Sequence, residues 1–273
     1  MKLKMKIQNK RAVFLTITLI MFALILFSLS GLFIKQKQSE NLFVQGTIER
    51  VTNLDASIQK SITDLFENSA GISIQNSGNN IIIYEAIPVN LVEFQTKLTD
   101  FEAFVENKLT TVEINSNIQE MPLILSPKGI EYTHNQNGDK IIIKNINLAQ
   151  SYEIKFTFPQ GEEGACPITF NEASGDLSVK IIADDVLSEC EQEKSINPES
   201  LSQATIVHEN GNIIVTIDNN QIEISRSSAN AFNVQTTITL AQEESIVNIK
   251  MPEIITNISA LDFSINGEAR FLT

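Results

Sequence analysis

The side chains best suited to chemistry are few: Cys166 and Cys190, and His134 and His208. Two cysteines on an exported segment read as one disulfide, since thiols outside the reducing cytoplasm oxidise in pairs. Closing that loop would stabilise the fold by about 3 kcal/mol in the chain-entropy description. Two separate thiols or a redox pair are the alternatives, and no basic neighbour lowers either thiol's pKa. His134 and His208 each precede an Asn-Gly turn signal, and with Glu131, Asp139 or Glu209 they raise a metal hypothesis. The plainer reading makes each a surface strand residue, so no metal ligand is assigned.

Carboxylates cluster at Glu162-Glu163, Asp184-Asp185, Glu189/Glu191/Glu193 and Glu243-Glu244, without the alternating Asp/Asn and glycine spacing of a calcium loop. Solvated charge accounts for them. No nucleophile elbow, phosphate loop, dinucleotide glycine fingerprint, zinc-protease helix or cysteine cluster is present. The expectation is therefore a protein that is not an enzyme, with no catalytic residue and no cofactor.

The elements that would carry these residues begin with charge. The 273-residue chain has a net charge of -13, yet Lys2, Lys4, Lys6, Lys10 and Arg11 open it with no acid among them. With those five set aside from the 20 basic residues, 15 face 33 acids, a balance that repels nucleic acid. Residues 12–34 carry no charge. At 1.5 Å per residue such a run spans roughly 34 Å, so a transmembrane helix in contact with membrane lipid is expected. The basic residues would hold 1–11 in the cytoplasm as a tail and send the rest across, giving a single-pass cell-membrane protein with an extracytoplasmic C-terminal domain. A cleaved secretory signal, cut after Ser28-Leu29-Ser30, is the rival.

Beyond Lys37, Val44, Ile48, Val51, Ile58, Ile62 and Leu65 recur at helical spacing, predicting an amphipathic extension over 35–70 whose stripe needs a packing partner. Leu91, Phe94, Leu98, Phe101, Val105 and Leu109 predict one further helix with Asn90 as N-cap. The remainder of 71–273 alternates in strands around turn signals such as Asn137-Gly138 and Asn210-Gly211. The polar stretch 187–202 reads as a loop or short helix dividing the β-rich domain into two subdomains. The fold class expected is α+β: a long transmembrane and amphipathic helix, then a mainly antiparallel β-sandwich ectodomain.

Lys10-Arg11-Ala12, the uncharged run opening Val13-Phe14-Leu15, its continuation as an amphipathic half-helix and the β-rich domain with one cysteine pair resemble type IV pilin-like proteins, especially archaeal ones. The resemblance covers the N-terminal quarter. It implies cleavage between Ala12 and Val13 by a prepilin-type peptidase and a filament core of bundled helices. Ile17 stands where bacterial pilins carry glutamate, and Val13 where mature archaeal pilins commonly begin with glutamine. The functional expectation is a membrane-anchored cell-surface structural or interaction protein, assembling as a homo-oligomer or with other surface proteins. A monomeric anchored adhesion or binding module is the alternative, and an extracytoplasmic enzyme with an unrecognised site the third.

Overall fold

The computed structural model describes the chain apart from residues 1, 110, 117–122, 127, 159–167, 172–173, 185–188, 208–210, 228–230, 242–247, 261–262 and 272–273, and describes only the backbone of 2–20 and 41. Two compact units divide it, Met1–Asn53 and Leu54–Thr273. Helix α1 (Lys2–Ala70) supplies the first unit and the opening of the second. No proline precedes Pro88, so nothing breaks the ladder of backbone bonds until Gly71. Gly71 adopts φ 74° and donates its N–H to Glu67 O at 3.2 Å, a left-handed stop that favours glycine.

In the first unit the expected membrane-spanning helix is corrected. Among the described residues no helix is long and apolar enough to cross a membrane. The uncharged run with described side chains is residues 21–34, about 21 Å of helix against a hydrocarbon layer of ~30 Å. The processing pair Ala12 and Val13 lies in α1, where side chains are outside the described residues.

The second unit is dominated by β-structure. After α1 come β1 (Ile72–Ser77), β2 (Asn80–Ile87), α2 (Leu91–Lys108), β3 (Val112–Ser116), β4 (Leu123–Ser126), β5 (Ile130–His134), β6 (Lys140–Lys144) and β7 (Ser151–Thr157). They are followed by β8 (Ile168–Asn171), β9 (Ser174–Asp184), β10 (Glu189–Ile196), β11 (Ser202–Ile206), β12 (Ile213–Asp218), β13 (Gln221–Arg226), β14 (Phe232–Thr239), β15 (Asn248–Ala260) and β16 (Phe263–Phe271). One sheet has the order β1-β2-β14-β7-β9-β10; the other runs β16-β15-β4-β5-β6-β13-β12-β11-β8, with β3 also on β15. The fold is thus β-rich with two large sheets, a correction to the expected long transmembrane helix bearing a β ectodomain.

Inward positions alternate with outward ones as the pleat requires: Ile81, Ile83, Glu85 and Ile87 on β2, and Ile130, Tyr132 and His134 on β5. Most such positions are isoleucine or valine, whose branched side chains suit a pleated interior. All described strand pairs are antiparallel except β7 with β9.

The polar stretch 187–202 contains β10, paired along β9, rather than only a loop or helix. Its exposed Glu189, Glu191 and Glu193 alternate with half-buried Cys190, Gln192 and Lys194, so it has no apolar face to betray it. Cys190 is disulfide-bonded and no described cysteine is free, whereas Cys166, the other cysteine of the chain, lies outside the described residues.

Within the second unit, α1 covers the open edge of β16. Gln59 Oε1 accepts the Arg270 backbone N–H at 2.8 Å, and Thr63 Oγ1 donates to Arg270 O at 3.5 Å. A side-chain amide here replaces the missing neighbouring strand. Phe66 fills the space beneath, its ring 5.2 Å from Phe94 of α2 and 5.1 Å from Phe271 of β16, both edge-on. Asn90 caps α2, its Oδ1 accepting the Glu93 N–H at 3.1 Å.

Phe66 is 1% exposed and Val92 70% exposed. Phe66→Ala should cost about 3–5 kcal/mol in urea unfolding, through lost burial and the cavity left behind, whereas Val92→Ala should stay within ~0.5 kcal/mol.

Candidate functional site

Four buried polar side chains meet between the sheets: Glu85 of β2 and Thr236 of β14 from one, Tyr132 and His134 of β5 from the other. The period-2 register brings each inward. Glu85 pairs across its sheet with Val234 and Ile72, and His134 with Ile141, so apolar neighbours surround the cluster. Glu85 is 4% exposed and His134 2%.

The Glu85 carboxylate uses both oxygens. Oε1 accepts the Tyr132 hydroxyl proton and Oε2 pairs with His134 Nε2. With the phenol proton committed to Glu85, the Thr236 hydroxyl, 3.4 Å away, is left to donate to the Tyr132 oxygen. The Tyr132 and His134 rings stand edge-on with centroids 5.6 Å apart. Burial, reinforced by the charge of Glu85 and by the hydrogen bond to it, holds the Tyr132 phenol well above the usual tyrosine range.

A carboxylate, an imidazole and a phenol could in principle pass protons to a substrate. Here the Glu85 and His134 side chains are 0% and 1% exposed, which leaves a substrate no access. The arrangement is a clasp: it satisfies a buried carboxylate while joining the two sheets.

His134 therefore faces Glu85 rather than solvent or its expected neighbours. Glu131 lies nearer Lys144, at 3.7 Å, and Asp139 accepts Asn135 Nδ2 at 2.6 Å in the β5–β6 turn. His208 and Glu209 lie outside the described residues, as do Glu162, Glu163, Asp185, Glu243 and Glu244. Among the described residues no three His, Cys, Asp or Glu side chains gather as metal ligands would. The acids of β9 and β10 meet lysines instead: Lys155 lies 2.7 Å from Asp184 and 2.9 Å from Glu189, and Lys180 lies 2.6 Å from Glu191. Hydrogen bonds to these carboxylates raise both lysine pKa values.

Away from the clasp, an open cleft of about 490 Å³ is lined by Asn147, Gln150, Asp176 and Asn197 among others. Among the described residues of its lining, Asp176 is the one titratable side chain, with no nucleophile or base beside it. Glu85 had no motif to announce it. The available signal was parity, since it shares the inward set of Ile81, Ile83 and Ile87, as His134 shares that of Ile130 and Tyr132.

The packing stripe predicted on α1 divides. Val44 is exposed and Ile48 half-buried, whereas Val51, Ile58 and Ile62 are buried and Leu65 half-buried. In the first unit Leu24, Ile25, Leu26 and Phe27 are consecutive and each more than half exposed, Phe27 at 84%. Four successive residues occupy all sides of a helix, so this surface is apolar all round.

Comparison with protein-family models, curated proteins and solved structures found no match for the chain.

The clasp has a pH signature. The unfolded phenol ionises near pH ~10, whereas folded Tyr132 keeps its proton to higher pH. Between those two values the native state holds more protons, so stability present below pH ~10 falls as pH rises, by up to about 1.4 kcal/mol per pH unit for one group. Tyr132→Phe should lessen this alkaline slope in denaturant titrations at pH 9–11. Glu85→Ala should cost about 3–5 kcal/mol at neutral pH by leaving its buried partners unpaired.

Proposed function

We propose that the protein is a structural subunit of the pilin-like kind, which associates with further copies through the N-terminal half of α1 and presents the acidic β-rich unit as the assembly's outer material. One observation carries the reading: the apolar surface from Met21 to Ile34, which resumes at Leu42, Phe43 and Val44 beyond the polar residues 35–41. Met21, Phe22, Leu24, Phe27, Leu32, Phe33, Leu42 and Phe43 are each at least 60% exposed. Scattered exposed leucines are ordinary on a protein surface, but a continuous patch of this extent is not. A single groove would cover one face of a helix; a bundle of like helices covers every face at once.

The clasp supports the same reading indirectly. The most elaborate polar arrangement among the described residues is sealed, and the open cleft holds no acid–base pair. The β-rich unit is built for rigidity, and its excess of acids keeps it soluble and apart from nucleic acid.

Sedimentation of the purified full chain tests this. Wild-type protein should form assemblies of many copies, and Phe27→Asp with Phe33→Asp should shift it to the 30.4 kDa monomer while leaving the unfolding midpoint of the β-rich unit unchanged. Wild-type protein that remains monomeric at all concentrations contradicts the reading.

A further inference from the structure

We propose that neighbouring copies pack their α1 helices antiparallel in one register, with Arg11 of one copy against Glu40 of the next on one face and Lys2 against Glu49 on the opposite face. The inference rests on the proposed self-association and adds its orientation. Residues 1–53 hold two acids, Glu40 and Glu49, among eight bases. Both acids are exposed. Among the described residues each meets only a neutral amide of its own helix, Gln36 Nε2 and Gln45 Nε2, both at 3.3 Å.

Helix geometry puts each base on the same side as its acid. Arg11 and Glu40 are 29 residues apart, about eight turns, and Lys2 and Glu49 are 47 apart, about 13 turns. Lys2 and Arg11 stand about two and a half turns apart, so the two faces are opposite. Phe22, Ile25, Leu29 and Phe33 continue the first face and Leu24, Phe27 and Ile34 the second, all of them exposed. Both charge pairs are centred on one point, between Ile25 and Leu26. An antiparallel register with its two-fold axis there aligns the two pairs at once. It also lays the uncharged run 17–34 wholly upon its counterpart, so apolar burial drives association while charge selects direction.

Parallel packing meets neither need. In register, it sets the five bases of residues 2–11 against the same five of the neighbour. Sliding one helix by 29 residues brings Arg11 to Glu40 but carries 21–34 onto 50–63, where Val51, Ile58 and Ile62 are already buried within their own chain. The remaining charge points the same way. Residues 54–273 carry 12 basic and 31 acidic side chains, and antiparallel neighbours enter these like-charged portions from opposite ends of the shared helix run.

Zero-length carbodiimide coupling of full-length wild-type protein, mixed equally from isotopically labelled and unlabelled batches and mapped by mass spectrometry, tests the orientation. The expected amide links join Glu40 to Lys10, the amine beside Arg11, and Glu49 to Lys2, in part between labelled and unlabelled chains. Along one helix these groups are roughly 45 and 70 Å apart, so neither link can form within a chain. Coupling of Glu40 to Lys37, three residues away, is the internal reference for the reaction. One parallel shift supplies at most one of the two links, since they need different shifts. Assemblies of many copies that lack either link overturn the orientation and leave self-association standing. Wild-type protein that sediments as a monomer removes the self-association, and the orientation with it.

Discussion

A carboxylate sealed between two sheets must be paired from both sides, and this requirement organises the β-rich unit. Glu85 enters from one sheet and its partners Tyr132 and His134 from the other, so the hydrogen bonds that make its burial tolerable also register one sheet upon the other. Isoleucine and valine supply most of the surrounding interior, but apolar packing is undirected and tolerates sliding. Three fixed acceptor and donor positions do not. We attribute the specificity of the sheet-on-sheet arrangement to this clasp, in the way that a single buried polar contact can set register in simpler assemblies.

The edges follow a similar logic. Gln59 and Thr63 of α1 occupy the backbone of β16 at Arg270, while β10 carries three outward glutamates that discourage a further strand. Within the second unit, apolar and hydrogen-bonding surfaces are largely accounted for. The segment from Met21 to Ile34 is the opposite, uncharged, predominantly apolar and exposed. One chain therefore joins a self-sufficient β unit to a helix that needs company, and the proposed assembly rests on this contrast.

How far the sequence revealed this depended on whether each signal was local. Leu91, Phe94, Leu98 and Val105 mark the buried side of α2, and Asn90 its start, because period and cap lie within one element. β10 was hidden because its alternation is glutamate against cysteine, glutamine and lysine; only its partner β9 makes it a strand. Pro252 divides the β15 pattern into two apparent strands, and the register shift between Met251 and Ile255 lets one strand pass through it. The clasp was least legible of all. Glu85 and His134 are far apart in sequence, and a charged residue at an inward position reads as surface until its partner is found. A type I′-like turn lies at Asn219 and Asn220, with φ 49° and 59°, between β12 and β13, whereas Asn210 of the expected Asn210-Gly211 turn lies outside the described residues.

Hydrogen exchange of the backbone amides in residues 21–44 of the full-length protein, followed over a range of protein concentrations, tests the central claim most directly. Association through this helix predicts protection that rises with concentration and is confined to that segment, while the β-rich unit exchanges at a constant rate. Exchange in 21–44 that is equally fast at every concentration would contradict it.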